Sequence, residues 1–152
     1  MTISNSFGIN ASALSAQRLR MDVISSNIAN AETTRASVVN GEVVPYRRKL
    51  VELTPNQNSF SSMLQSQMGV ASSKGNGTGV RVKAITEDSS DFKIVYNPTH
   101  PDANADGYVS MPNVDMAKEM VDMISASRSY EANITAINAS KSMVMKALEI
   151  GR

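Results

Sequence analysis

The first thirty residues carry apolar side chains at the spacing of a helix that packs along one partner helix. Steps of four and three residues from position 3 reach eight positions, six of them apolar: Ile3, Phe7, Leu14, Met21, Ile24 and Ile28. This is the a/d repeat of period 3.5 that is typical of coiled coils. Asn30 favours a helix end, because asparagine tolerates the left-handed conformation that closes many helices. The pattern predicts an N-terminal helix over residues 1–30.

The same repeat returns near the C-terminus and is longer there. From position 116 it reaches ten positions, eight of them apolar: Met116, Met120, Met123, Tyr130, Ile134, Ile137, Val144 and Leu148. Asn113 follows Pro112 and is a favourable N-cap, and Gly151 stands just after the last periodic residue. We therefore predict a second long helix over residues 114–152.

The segment between the two predicted helices is rich in residues that break helices. All five prolines and six of the eight glycines lie between positions 31 and 113, which excludes a long helix there. Short runs of alternating or β-branched residues predict four strands, enough for one small sheet at most, at 46–53, 79–87, 92–96 and 107–111. The polar stretch 54–79 predicts a mobile loop. Within it, four apolar residues favour a short helix: Phe60, Met63, Leu64 and Met68.

Composition excludes several classes of function. Fifteen Lys and Arg against fourteen Asp and Glu give a net charge of +1, so nothing drives sequence-independent binding to nucleic acid. With no cysteine and one histidine, His100, zinc sites built from Cys and His are excluded. Neither a cleaved signal peptide nor a run of about 18 apolar residues is recognisable. We therefore expect no membrane insertion, and export by another route if the chain leaves the cytoplasm.

One segment resembles half of a calcium-binding loop. Asp102, Asn104, Asp106 and Gly107 match the first half of an EF-hand loop, but the twelfth position holds Asn113 in place of the bidentate glutamate. Aspartate, asparagine and glycine are also ordinary turn formers. A turn before the strand at 107–111 is therefore favoured over a calcium site.

Three other motifs have ordinary structural explanations. His100, Pro101 and Asp102 spell a tripeptide of J-domain co-chaperones, but the flanks are strand-like, which favours a surface loop. The basic run at 47–49 is expected to be a solvated strand face. The methionines at 116, 120 and 123 share the helical repeat, so packing is favoured over a soft metal site. No catalytic residue, cofactor or metal ligand is predicted.

Stretches near both ends of the chain, and three segments between them, carry a family resemblance. The sequence ISSNIANA at 24–31 closely resembles the signature near the N-terminus of the flagellar rod and hook family, with the motif residues Ser26, Asn27, Ile28, Ala29 and Asn30. The C-terminal stretches resemble the signature of proximal rod members of that family, at 112–114, 119–133 and 141–148. Three central segments also fit those members, at 45–49, 92–96 and 107–112.

The resemblance implies an α+β fold. Residues 1–30 and 114–152 would be the long N- and C-terminal helices, pairing as an antiparallel coiled coil in an inner domain. Residues 31–113 would be a small central β domain with flexible loops, including the mobile loop 54–79. The fourteen apolar residues of the two repeats would form the assembly seam.

The implied function is that of a structural subunit of the proximal rod of the flagellar basal body. The rod lies in the periplasm and transmits torque, and its subunits would polymerise through their terminal helices. Expected partners are copies of itself, other rod proteins, basal-body ring components and the flagellar export apparatus, with no cleaved signal peptide. Two alternatives remain open from the residues alone: a cytoplasmic coiled-coil adaptor, and a hydrolase or co-chaperone that depends on His100.

Overall fold

A computed structural model describes residues 3–39, 42–56 and 79–150 of the 152-residue chain. Within these ranges lie two long helices, α1 (Ile3–Ala29) and α2 (Met116–Ile150). At about 1.5 Å per residue, the 35 residues of α2 span about 52 Å. Both helices lie where the apolar repeats predict them. The short helix predicted from Phe60 to Met68 and most of the 54–79 loop lie outside the described residues.

The described residues contain six strands: β1 Ser37–Val39, β2 Glu42–Val44, β3 Lys49–Pro55, β4 Val80–Glu87, β5 Lys93–Tyr96 and β6 Tyr108–Met111. These strands form three separate two-stranded ribbons, β1–β2, β3–β4 and β5–β6, and not one small sheet. β1–β2 and β5–β6 are antiparallel. The first predicted strand, at 46–53, corresponds to β3, which begins three residues later than expected because residues 45–48 are not in a strand conformation.

The β1–β2 ribbon was not predicted. Its register pairs Val39 with Glu42, and the two residues between them in the sequence are Asn40 and Gly41. Asn-Gly flanked by apolar residues is the strongest short-range signal for a hairpin. That dipeptide, between Val38–Val39 and Val43–Val44, is the signal that could have revealed the ribbon.

The helix ends confirm one prediction and correct another. α1 ends before Asn30, whose side-chain amide donates to the carbonyl oxygen of Ser26 at 2.9 Å, as the sequence predicts. α2 is capped by Asp115 and not by Asn113. Its carboxylate accepts from the backbone N–H groups of Ala117 and Lys118 at 2.9 and 3.3 Å. Asn113 accepts instead from the backbone N–H of Arg48 at 2.9 Å, so a tertiary contact takes the side chain away from the cap.

The chain packs into two compact units. Unit 1 comprises Met1–Leu19, Glu52–Ala84 and Ala126–Arg152, and unit 2 comprises Arg20–Val51 and Ile85–Ser125. Each unit therefore contains a part of both helices. The domain boundaries predicted at residues 30 and 114 for the assembled protein stay a prediction.

In unit 1, a serine on α1 holds the start of β4. The Ser12 hydroxyl donates to the carbonyl oxygen of Ile9 at 2.7 Å and accepts from the backbone N–H of Val80 at 3.1 Å. A Cβ added to Gly79 would collide with the Ser12 hydroxyl. Glycine at this position therefore permits the close approach of the strand to the helix.

In unit 2, the two helices run antiparallel. Asn27, near the end of α1, bonds to Glu119, near the start of α2. Arg20, about two turns before Asn27 on α1, pairs with Asp122, which lies further along α2. The α+β fold with paired terminal helices is therefore confirmed. The buried apolar residues of this unit come from α1, the approach to β3, and β6: Val23, Ile24, Tyr46 and Val109.

Candidate assembly site

The predicted seam on α1 is largely covered within the chain. Ile24 is buried, and the other seam residues with described side chains are partly buried: Phe7, Leu14, Met21 and Ile28. The side chain of Ile3 lies outside the described part. The uncovered positions instead form a narrow stripe of small and polar residues along α1: Gly8, Ala11, Ser15, Arg18, Asp22, Ser25 and Ala29.

On α2, the predicted seam divides into two sets of residues with different exposure. One set is partly buried: Met123, Tyr130, Ile137 and Val144. The other set, which we call the exposed line, is exposed at 46%, 51%, 38% and 65% for Met116, Met120, Ile134 and Leu148. Met116 lies in the heptad row of the first set, and Ser127 and Lys141 interrupt the row from Met120 to Leu148. The part that both sets play in assembly stays a prediction.

The covered stripe on α2 contains residues that a search for apolar positions passes over. Beside Met123, Tyr130, Ile137 and Val144, a second row of side chains is covered: Glu119, Ala126, Asn133 and Ser140. Each of these lies one position before one of the ten positions of the predicted repeat. Glu119, Ala126 and Ser140 are buried. Small side chains allow helices to approach closely, and Glu119 is buried because it has partners. The single chain therefore covers a stripe that shares one row with the apolar repeat and includes a second row, one position before the repeat.

Asn27, one of the motif residues at 26–30, is the central member of a buried polar cluster, and it is 1% exposed. Its amide nitrogen donates to the carbonyl oxygen of Lys49 at 2.9 Å and to Glu119 Oε2 at 3.0 Å. Its amide oxygen accepts from the Tyr46 hydroxyl at 3.0 Å and from the backbone N–H of Lys49 at 2.9 Å. All four hydrogen-bonding positions of the asparagine are used. No other residue offers two donors and two acceptors in this shape, which gives a physical reason for asparagine at this position.

Arg48 supplies the positive charge of the cluster. Its Nε donates to Glu119 Oε1 at 2.6 Å, and its two terminal nitrogens lie 3.6 Å from carboxylate oxygens of Asp88 and Asp122. The Arg48 side chain is 13% exposed, and Glu119 is 1% exposed. Since a buried carboxylate needs a paired cation, Arg48 and Glu119 depend on each other.

The solvated strand face predicted for residues 47–49 is therefore wrong for Arg48. Its neighbours alternate with it along the chain and have their own contacts. The Arg47 guanidinium lies 4.5 Å from the ring centroid of Phe92, and the Lys49 ammonium 5.7 Å from that of Tyr46. The sequence shows the three charges but not the carboxylates that surround the middle one, because those come from positions 88, 119 and 122.

Asp88 links the cluster to the loop after β4. The backbone N–H of Ser90 donates to the Asp88 carboxylate at 3.0 Å. Hydrogen bonds from Ser90, first from its backbone and then from its hydroxyl, lower the pKa of Asp88, and Arg48 lowers it further. Asp88 is therefore held as an anion facing Arg48.

The cluster joins three elements by directional contacts: the end of α1, the start of β3 and the first turn of α2. Because Asn27 has no free polar atom, it has nothing left with which to hold a ligand. What this arrangement can do is structural. It fixes the ends of two helices in one register, since hydrogen bonds of this geometry cannot be satisfied after a shift of one residue.

The segment that resembles a calcium loop forms the predicted turn. Gly107 has a φ of +79°, and its N–H donates to the carbonyl oxygen of Asn104 at 2.8 Å. The Asp102 carboxylate accepts from the Thr34 hydroxyl at 2.8 Å and from the guanidinium of Arg35. The hydrogen bond from Arg35 is the main cause that lowers the pKa of Asp102. Asp102 is thus engaged in holding the segment before β1.

His100 lies in the same loop, between β5 and β6, as its strand-like flanks predict. Its Nδ1 accepts from the backbone N–H of Asp102 at 3.1 Å. Among residues 3–39, 42–56 and 79–150, no group of three or more His, Asp or Glu side chains is placed to hold a metal ion. Neither described helix is apolar enough over a sufficient length to cross a membrane.

Comparison with known proteins identifies the class to which these features belong. A model described as "Flagella basal body rod protein" matches residues 9–36, and one described as "Flagellar basal body rod FlgEFG protein C-terminal" matches residues 105–150. The two matched segments contain most of α1, including the Asn27 motif, and all of α2.

Whole-length relatives narrow the class. The chain is 63% identical over 152 residues to the flagellar basal-body rod protein FlgC of Bacillus subtilis (strain 168), covering 100% of both chains. It is 44% identical to FlgC of Borreliella burgdorferi, over 99% of this chain and 98% of the relative, and 42% identical to FlgC of Salmonella typhimurium over 100% of both. The chain therefore belongs to the FlgC family of flagellar basal-body rod proteins. These comparisons give no support to the cytoplasmic adaptor.

Proposed function

We propose that this chain is a structural subunit of the proximal rod of the flagellar basal body and that it polymerises through its terminal helices. The rod would lie in the periplasm and transmit torque, with copies of this chain, other rod proteins and ring components as neighbours. The subunits would reach it through the flagellar export apparatus. Membership of the FlgC family supports the rod function, and the partners and compartment are the finer part of the proposal.

The observation that carries the proposal is the exposed apolar line on α2. Met116, Met120, Ile134 and Leu148 are 38–65% exposed in the single chain, at positions a coiled-coil repeat would bury. Exposed apolar side chains that recur along one helix are typical of an interaction surface. Neighbouring subunits that cover this line would gain the hydrophobic stabilisation that the isolated chain lacks, about 25 cal/mol per Å² of apolar surface.

The polar cluster gives such a subunit a fixed geometry. A rod that transmits torque needs subunits that do not shear along their helices. The hydrogen bonds among Asn27, Glu119 and Arg48 resist a sliding of α1 against the start of α2, because any shift leaves buried polar groups without partners.

A charge on the exposed line separates folding from assembly. Ile134 is 38% exposed in the single chain, so Ile134→Asp should leave the fold intact. In the rod the same charge would be buried without a partner, which costs several kcal/mol. We expect the tagged Ile134→Asp chain to be present in cells but absent from purified basal bodies.

Ala139→Asp is the matched control, because Ala139 is exposed on the same helix and lies off the repeat. Alanine is a better helix former than isoleucine, so the control loses more helix propensity than Ile134→Asp does, and a selective loss of Ile134→Asp cannot come from that source. Equal incorporation of the two variants would show that the Ile134 line is not an assembly surface. Absence of the unmodified tagged chain from basal bodies would contradict the rod function itself.

A further inference from the structure

The β5–β6 ribbon in unit 2 has an apolar surface on each of its two faces. Its register pairs Ile94 with Ser110 and Tyr96 with Tyr108 on one face, and Lys93 with Met111 and Val95 with Val109 on the other. Antiparallel ribbons usually place polar residues on the face away from the core. Here, Ile94, Tyr96 and Tyr108 are 69%, 65% and 46% exposed. We call these three residues the tyrosine face.

The rings of the tyrosine face are arranged as a pair. Tyr96 and Tyr108 meet edge to face, with centroids 5.3 Å apart. Neither hydroxyl has a hydrogen-bond partner within the described part of the chain. Tyrosine combines a large apolar area with a polar end and little conformational entropy. It is enriched among the interface residues that contribute most of the binding energy. The face has the composition of an interface core that lacks its partner.

The opposite face of the ribbon borders a groove. An open cavity of about 640 Å³ is lined by Val95 and Met111 of the ribbon and by Val114 and Met116 around the start of α2, together with polar residues that include Lys93. We call it the methionine groove. Methionine is flexible and adapts to the shape of a bound apolar group. The groove continues towards the exposed line of α2, of which Met116 is the first residue.

The rim of the groove complements the tyrosine hydroxyls. Glu32 and Asp91 line the cavity, and neither carboxylate has a hydrogen-bond or ion-pair partner among the described residues. A tyrosine hydroxyl donates readily to a carboxylate. The tyrosine face thus offers two free donors, and the groove offers two free acceptors beside apolar side chains and Lys93.

From this complementarity we propose that the tyrosine face of one copy of this chain packs into the methionine groove of the next copy. Because the two surfaces lie on opposite faces of one thin ribbon, a single partner copy cannot cover both. Each copy needs two neighbours, so the contact is head-to-tail and continues from copy to copy, as a ring or a helical polymer. The proposal rests on the rod function and specifies one contact by which the subunits assemble.

The absence of cysteine from the chain allows a direct crosslinking test. Cells lacking the native subunit would co-express one tagged copy carrying Ile94→Cys and a differently tagged copy carrying Met116→Cys. Purified basal bodies would be treated with a flexible bismaleimide, which tolerates a range of thiol separations. We expect a mixed dimer at least about tenfold above the pair Ile94→Cys with Ser25→Cys, because a fixed contact raises the effective concentration of the two thiols.

Ser25 is a suitable control because it is exposed on α1 of the same unit and lies on neither surface. A mixed dimer no stronger than the control, in basal bodies that contain both variants, would overturn the head-to-tail contact and leave the rod function standing. An Ile94–Ile94 dimer as strong as the mixed one would overturn it too, since it would indicate a two-fold contact. Absence of even the unmodified chain from basal bodies would instead contradict the rod function.

A second pair of variants tests the same contact without thiols. Tyr108→Asp should keep its helical circular dichroism and be lost from basal bodies, whereas Ala105→Asp, exposed in the loop before the same strand, should be incorporated. Incorporation of a folded Tyr108→Asp chain at the level of the control would overturn the proposal.

Discussion

Units 1 and 2 draw on the same two helices, but the polar contacts that α2 makes in the two units differ in burial and in range along the sequence. In unit 2, side chains that are far apart in the sequence bond directly, such as Asn27 and Glu119 at a separation of 92 residues. In unit 1, the ion pairs of α2 are local, such as Lys146 with Glu149 at 2.7 Å, and both partners are exposed. Exposed pairs of this kind contribute about 0–1 kcal/mol.

The difference concerns the buried face of α2 and not its exposed apolar residues. The first turns of α2 carry the buried carboxylate of Glu119, and they also leave Met116, Met120, Val121 and Ile124 exposed at 46–66%. Later turns leave Ile134, Met143, Met145 and Leu148 exposed at 38–65%. The comparison teaches that a buried ionic network determines which residues of unit 2 pack together, whereas apolar exposure along α2 does not distinguish the two units.

The largest expected effect comes from changing one atom type at the centre of the cluster. Asn27→Asp keeps the shape of the side chain but replaces its NH₂ group with a carboxylate oxygen. In the native chain that NH₂ group lies 3.0 Å from Glu119 Oε2 and 2.9 Å from the carbonyl oxygen of Lys49, so the new oxygen would face two acceptors. We expect a loss of about 4 kcal/mol or more in the free energy of unfolding, measured with urea. Asn138→Asp, exposed on α2 in unit 1, should change it by less than about 1 kcal/mol. Similar losses from both would show that the cluster does not hold the fold.

Removing the buried carboxylate should be the next most severe change. Glu119→Ala leaves the largely buried Arg48 with only the two carboxylates at 3.6 Å. We expect a loss of about 3 kcal/mol in the free energy of unfolding, the range for breaking a buried pair. Glu131→Ala removes the exposed pair with Arg128 and should cost about 0–1 kcal/mol. If the two losses are equal, the contrast between the units does not hold.

A pair of glycine variants probes the specific packing of unit 1. Gly79→Ala would push a Cβ against the Ser12 hydroxyl, which is fixed by two hydrogen bonds, and should cost about 1–2 kcal/mol in thermal or urea unfolding. Gly8→Ala has open space around the new Cβ and lies inside α1. It should stabilise the chain by about 0.5–1 kcal/mol, since alanine is the better helix former. A neutral Gly79→Ala would mean that β4 does not approach Ser12 closely.

The smallest expected effect concerns Asp102 in unit 2. Arg35 lowers the pKa of Asp102 below its ordinary value of 3.8, so the ionised form is favoured in the folded chain. Its stabilisation is complete above the ordinary pKa and is lost as the pH falls through the lower, folded value. Asp102→Asn should therefore reduce stability slightly at neutral pH and make acid unfolding below about pH 4 less steep. An unchanged acid unfolding profile would contradict a role for this pair.

Much of the fold could be predicted from local signals. The apolar repeats place both helices, Asn30 marks the end of α1, and the Asp102–Gly107 segment forms the expected turn. The β1–β2 ribbon is also predictable from a local signal, the dipeptide Asn40-Gly41 between two apolar runs. In contrast, the cap of α2 could not be chosen between Asn113 and Asp115, because both are good caps and only the contact with Arg48 removes Asn113.

What the sequence by itself determined was the class of fold and, through the motif at 26–30 and the C-terminal stretch, the rod family. What only the tertiary structure decided was the role of individual residues. Asn27, Arg48 and Glu119 meet although they are far apart in the sequence, and the fully buried positions of α2 are Glu119, Ala126 and Ser140 and not residues of the apolar repeat. The physical reason is that hydrophobic periodicity measures what a helix could bury, whereas the partners available in three dimensions decide what it does bury. A charged or small side chain lies inside when a matching partner faces it, and an isoleucine stays outside when none does.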